Sequence, residues 1–200
     1  MTLALDISAR GKKLSITKLR EAARHLFVTQ GYDRTRPQDI ARLAGLANGT
    51  FYIHFKDKRD AFLDFAAEAQ NTLISEFRAR LSGIEGRDNR WKIIFEVMEE
   101  FAERHPGVLE AAFMDPLMIA PQDEDAWRVY DRIGHFVVTS IQESREELST
   151  DYDLEMIGHA ICGLLRHAMI FATRKGKGRE KMVKDLICLL EKGLYKATPE

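Results

Sequence analysis

Apolar residues recur along this chain with the period of a helix. Leu19, Ala22, Ala23, Leu26 and Phe27 stand at i, i+3, i+4, i+7 and i+8, which predicts an amphipathic helix from about Ile16 to Gln30, ended by Gly31. Ile40, Ala41 and Ala44 form the small apolar face of a short helix that starts at Pro37 and ends where Gly45 can take the left-handed conformation. Thr35 and Gln38 have the spacing of a capping box at its start. Asn48 then opens a second short helix in which Phe51 and Phe55 turn inward. Two short helices joined by a four-residue turn containing glycine make a helix-turn-helix.

The pattern continues without strand-like alternation. Asp57 is placed to cap a long helix reaching about Leu81, with Asp60 three residues on and Ala61, Phe62, Phe65, Ala69, Leu73 and Phe77 on one side. The polar, glycine-containing stretch 82–89 reads as a loop. Trp91, Ile94, Phe95, Met98 and Phe101 mark a helix over 90–104, broken by Pro106 and Gly107, and a shorter helix follows over 108–114. Residues 115–125 are the least regular part of the chain and are expected to form a mobile loop. Trp127, Tyr130, Ile133, Val137 and Ile141 predict a helix over 126–148, and Asp153 caps the next. An all-α fold follows. Its expected domains are a flexible basic arm (1–14), a helix-turn-helix domain (15–63) and a helical effector-binding and dimerisation domain (64–200).

Charge separates the two ends. The chain carries a net charge of -1, yet residues 1–60 hold twelve Lys and Arg against six Asp and Glu, a surplus of +6 that leaves -7 for the remainder. A basic first third beside an acidic body suits nucleic acid at one end and a different task at the other. In the arm, Arg10, Lys12 and Lys13 could reach phosphates or a minor groove, or remain a solvated tail. No uninterrupted run of about eighteen apolar residues occurs and the N-terminus lacks a signal-peptide core, so a cytoplasmic protein with no membrane partner is expected. Cys162 and Cys188 lack CxxC spacing and read as buried free thiols.

The outward residues of the second short helix, Asn48, Gly49, Thr50, Tyr52 and His54, are of types that touch DNA: Asn and Thr read base edges, hydroxyls and imidazole bond phosphates, and Gly lets the backbone come close. The alternative is a polar surface helix of an ordinary bundle. Lys58 sits in the first turn of the long helix, where its charge opposes the helix dipole, so a DNA phosphate would explain its position. Together, Ala22-Ala23, Leu26-Phe27, Gly31-Tyr32, Thr35, Ile40-Ala41, Ala44-Gly45, Gly49-Thr50-Phe51-Tyr52, His54-Phe55 and Lys58 resemble the DNA-binding domain of the TetR family of transcriptional regulators. Ala47 stands where Ser is common in that family and Asn48 where a basic residue is common, which bears on the sequence read. The resemblance implies a homodimeric, ligand-responsive repressor that puts this helix in the major groove of an operator. Thr35, Gln38, Ala47, Asn48, Gly49, Thr50, Tyr52, His54 and Lys58 are the expected DNA-binding residues.

In the last two helices, Ile161, Leu164, Leu165, Ala168, Val183, Leu186, Ile187 and Leu190 form wide apolar stripes, expected either to pair two subunits in a four-helix bundle or to be buried within one. Phe95, Met98, Phe101, Phe113, Met114, Trp127, Tyr130, His135 and His159 would line the unknown small-molecule effector's pocket if the family pattern holds; such stripes are otherwise plain core. Asp131/His135 and Glu155/His159 are i, i+4 pairs that read as local ion pairs. With no nucleophile elbow, phosphate loop or HExxH in the sequence, neither a catalytic role nor a metal or cofactor is expected.

Overall fold

A computed structural model describes residues 2–84, 90–114, 122–144, 148–176 and 179–196; the expected mobile loop lies largely outside these. The helices are α1 (Thr2–Arg34), α2 (Pro37–Leu43), α3 (Asn48–His54), α4 (Lys58–Leu81), α5 (Arg90–Arg104), α6 (Glu124–Glu143), α7 (Leu154–Lys175) and α8 (Arg179–Leu194), with a π-helical turn at Glu110–Met114. No strand is present among the described residues, and the fold class is all-α. The chain divides into two compact units. One comprises the described residues of Met1–Ala69 and Gly107–Leu117, the other those of Gln70–Pro106 and Met118–Glu200. This differs from the boundary expected at 63/64, since α4 contributes to both units and the 107–114 segment joins the first. A Cβ on Gly107 would lie 2.7 Å from Val28 Cγ1, so glycine is what lets that segment meet α1.

In the first unit, Leu19, Ala22, Ala23 and Phe27 of α1 are buried, as their period predicts. Phe27 packs edge-on against Phe62 at 5.1 Å and lies 5.8 Å from Phe65, centring an aromatic cluster that Tyr32 completes. The expectation of an arm without helical structure over 1–14 is corrected: the backbone is helical from Thr2. Residues 16–30 already supply a nucleus, and each residue added to an existing helix costs little when no proline intervenes. Near the other end, Gly31 has φ 80 and turns the chain within α1.

The second unit is tied along its exterior by charge and in its interior by rings. Arg104 reaches Glu76 at 2.5 Å and Arg80 reaches Glu100 at 3.0 Å, joining α4 to α5. The Arg104 guanidinium holds the Glu76 carboxyl below its usual range. Phe77 of α4 stacks on Phe136 of α6 at 4.8 Å. Asp123 caps α6 by accepting from the Ala126 N–H, and Asp153 caps α7 by accepting from the Met156 N–H at 3.1 Å. The carbonyls at the end of α8 are met by Ser149 Oγ and Tyr152 Oη, both donating to Gly193 O at 2.9 and 2.6 Å.

Helices α6 and α7 come close together at two glycines. A Cβ on Gly158 would fall 2.8 Å from Gly134 O, and one on Gly134 would fall 2.9 Å from the His159 ring. His159 consequently pairs across the helices, its Nε2 3.3 Å from Asp131 Oδ1, rather than with Glu155 one turn back. This corrects the two i, i+4 pairs. Leu154–Ala172 is by length and composition apolar enough to cross a membrane, although Glu155, His159, Arg166 and His167 interrupt it. Of that stretch Gly158, Ile161 and Ala172 are buried, many residues are partly covered, and Met156, Leu164, Ile170 and Phe171 are exposed. Of the two cysteines, Cys162 is partly covered and burial pushes its thiol up to about 11, whereas Cys188 is exposed, contrary to expectation.

Candidate nucleic-acid interface

Helix α3 has seven residues, too few to persist alone, and it is held by what it buries. Phe51 is 0% and Phe55 3% exposed, with ring centroids 5.4 Å apart. The preceding turn is equally fixed. Gly45 takes φ 67, Leu46 N donates to Ala41 O at 2.9 Å, and Gly45 N donates to Arg42 O at 3.1 Å, a pattern that ends α2 through a left-handed glycine. Behind them Ile40 and Ala41 are buried. Asp57 and Asp60 start α4 reciprocally: Asp60 N donates to Asp57 Oδ1 at 2.8 Å and Lys56 N donates to Asp60 Oδ2 at 2.9 Å.

On this frame the residues expected to touch DNA separate. Gln38, Ala47, Asn48, Gly49 and Tyr52 are exposed and Thr50 is half-buried. Asn48, Gly49 and Tyr52 share the solvent side of α3, and the Tyr52 ring is steadied edge-on against Phe51 at 5.2 Å. Thr35 does not belong to this surface. It is fully buried, and its hydroxyl donates to Gly31 O at 2.7 Å, satisfying a carbonyl beside the turn in α1. The capping box is absent as well, because the N-cap of α2 is Arg36, one residue later, with no side-chain cap.

His54 and Lys58 are engaged internally. His54 Nε2 lies 2.7 Å from Ser15 Oγ, pinning the end of α3 to α1. Lys58 Nζ donates to Tyr32 O at 2.9 Å and sits 4.1 Å from the centre of the Tyr32 ring. The expectation that an outside phosphate explains Lys58 is therefore corrected. Its ammonium answers the carbonyls at the end of α1 and an aromatic face. Sequence spacing gave no sign of this because residues 32 and 58 meet only in the fold.

Three exposed features were missed from sequence. Arg36 and Lys56, just outside α2 and α3, are exposed cations on the same unit. Ile53 is 65% exposed, though the outward set read from sequence omitted it. At about 100° per residue the direction opposite the midpoint of Phe51 and Phe55 is that of Ile53, so helical angle alone would have found it.

Residues 19–64 match the family model described as bacterial regulatory proteins, tetR family. Over these residues the chain is similar to the DNA-binding domain of the TetR family of transcriptional regulators. The matched span contains α2 and α3 entire, and most of α1's buried face. Among curated proteins the chain is similar to the HTH-type transcriptional regulator YvdT of Bacillus subtilis (strain 168), 27% identical over 95 residues. That alignment covers 46% of the chain and 47% of YvdT, so the chain spans about half the length of the curated relative it matches. Among solved structures, a tetR family transcription regulator from Shewanella sp. PV-4 is similar at a TM-score of 0.72 and 20% identity, covering 92% of this chain and 99% of that one. Thermus thermophilus FadR, a TetR-family transcriptional repressor in complex with lauroyl-CoA, is similar at 0.69 and 22% identity, covering 92% and 97%. These likenesses extend the shared fold over the body as well as the DNA-binding module.

The effector and dimer sets also separate by burial. Phe95 and Phe101 are buried, and Met98, Phe113, Trp127, Tyr130 and His159 are partly covered. Met114 has no described side-chain environment. His135 is exposed and is withdrawn from the pocket: α6 turns Val129, Phe136 and Val137 inward, which leaves position 135 on the other side. In the dimer set, Ile161, Leu186 and Leu190 are buried within the chain at 4%, 7% and 4% exposure, filling its own core. Leu165, Ala168, Val183 and Ile187 are intermediate and Leu164 is exposed. Among the described residues the large apolar side chains exposed on α7 and α8 are Met156, Leu164, Ile170, Phe171 and Leu189.

Proposed function

We propose that this protein is a homodimeric repressor that binds a palindromic operator through α3 and releases it when a small molecule enters the second unit. The observation that carries the reading is the solvent face of α3, polar and glycine-containing, on a helix anchored by Phe51 and Phe55 within the TetR-family module. Asn48 reads a base, bidentate to adenine, while Gly49, Thr50 and Tyr52 fix the approach. Gln38, Arg36 and Lys56 contact phosphates, and Ser15 and Lys58 act by holding His54 and the end of α1.

Dimerisation uses the open apolar side chains of α7 and α8, Leu164 and Leu189 among them, because an uncovered apolar helix in water is stabilised by a second copy of itself. The two α3 helices then meet successive major-groove faces about one DNA turn, roughly 34–36 Å, apart. Phe95, Met98, Phe101, Trp127, Tyr130 and His159 supply the effector's surroundings, and the lauroyl-CoA complex of the similar Thermus thermophilus repressor makes acyl-CoA a reasonable first probe. Induction requires the effector to favour a conformer that binds DNA poorly, so it is set by the difference in affinity between two states.

Selection from random duplex DNA by the purified protein tests the reading. A palindrome with half-sites one turn apart is expected at near-physiological salt. Salt-sensitive binding without an enriched sequence overturns it.

A further inference from the structure

We propose that Ile53 is a specificity-determining residue that reads a thymine by packing on its C5 methyl group. This rests on the reading of α3 as the DNA-contacting helix and adds a reader that the polar residues do not provide. Ile53 is 65% exposed, as open as any large apolar side chain among the described residues. It points directly away from the buried pair Phe51 and Phe55, at the crest of the helix rather than on a flank.

Chemistry narrows what this side chain can recognise. Ile carries no donor or acceptor, so phosphates and the polar edges of bases gain nothing from it. In the major groove the apolar group on a base edge is the thymine methyl. Gly49, one turn before Ile53, presents no side chain, and nothing lies within 4 Å of where its Cβ would stand. A base edge therefore has room to approach Ile53 from that side. A β-branched residue in a helix already keeps essentially one χ1 rotamer, so contact costs little side-chain entropy. Asn48 and Tyr52 are also exposed on α3 and offer hydrogen bonds, and Ile53 adds an apolar contact that neither supplies.

The test replaces thymines of the selected operator one at a time by deoxyuridine, which removes only the methyl. The wild-type protein is expected to bind roughly fourfold more weakly at one position per half-site, the effect of one buried methyl-sized group. Ile53→Ala should bind the thymine and uracil operators equally well, with an unchanged melting temperature because the side chain is exposed. Ile53→Val should retain most of the discrimination. Indifference of the wild type to every thymine replacement overturns the proposal, as does an Ile53→Ala variant with undiminished discrimination. If no operator is enriched, this proposal falls together with the regulator reading. An enriched palindrome without methyl dependence removes Ile53 alone.

Discussion

Helices α3 and α7 both leave a face unpacked, and the two faces have opposite chemistry. Seven-residue α3 shows Asn48, Gly49 and Tyr52 to solvent with Ile53 at its crest, whereas twenty-two-residue α7 shows Met156, Leu164, Ile170 and Phe171. A short helix survives only if its buried side is strongly anchored, which leaves its other side free for polar readers. A long helix packed on one side by glycine-mediated contact with α6 can instead retain apolar residues on the other. The difference is one of chemistry: one face offers hydrogen-bonding groups around a single exposed Ile, the other a largely apolar surface.

The strongest way to break this comparison is to remove the anchor of α3. Phe51→Ala should cost about 3–5 kcal/mol of local stability, the usual loss for a buried aromatic, and abolish operator binding in a gel-shift assay. Sedimentation should still report a dimer, since α7 and α8 are untouched. Concurrent loss of dimers would mean that the two surfaces are not separable. The converse variant, Leu189→Glu, replaces an exposed residue and should weaken the dimer by roughly 2 kcal/mol or more, about thirtyfold in its dissociation constant. Sedimentation equilibrium measures this, and Leu186→Ala gives the contrast, with a lower melting temperature but little change in the dimer constant of the folded protein.

Asn48→Ala sharpens the α3 side. It should cost about 1–3 kcal/mol and relax preference at one operator position, whereas equal loss on all sequences would make Asn48 a phosphate contact. Lys58→Met should lower stability by about 1 kcal/mol, from the lost carbonyl contacts and cation–π contact. Its salt slope of DNA binding should match the wild type; a slope reduced by about one would restore Lys58 to the phosphate contacts. The smallest effect belongs to Glu76. Its carboxyl titrates below the usual value in the folded state, so its contribution is present above the unfolded value and is lost as pH falls through the folded one. Urea titrations of Glu76→Gln and wild type should differ slightly near neutrality and converge in acid.

Much of the fold was legible because periodicity reports local geometry. The inward faces of α1, α3 and α5, the left-handed turn at Gly45, and the caps at Asp57 and Asp153 all depend on residues within a turn or two of each other. The solvent exposure of Asn48, Gly49 and Tyr52 on α3 was legible for the same reason. Thr35 misled because a capping box and a buried hydroxyl bonded to Gly31 O share one sequence pattern, and only burial distinguishes them.

By itself, then, the sequence determined an all-α chain, the helix-turn-helix with its aromatic anchors, and a basic first third beside an acidic body. Tertiary structure decided which apolar residues of α7 and α8 fill the protein's own core and which stay open. It also decided that Asp131 pairs with His159 across two glycines and that Lys58 serves Tyr32. The reason is range: helical period is fixed by hydrogen bonds four residues apart, whereas burial and long-range pairing depend on what another segment brings to the same place.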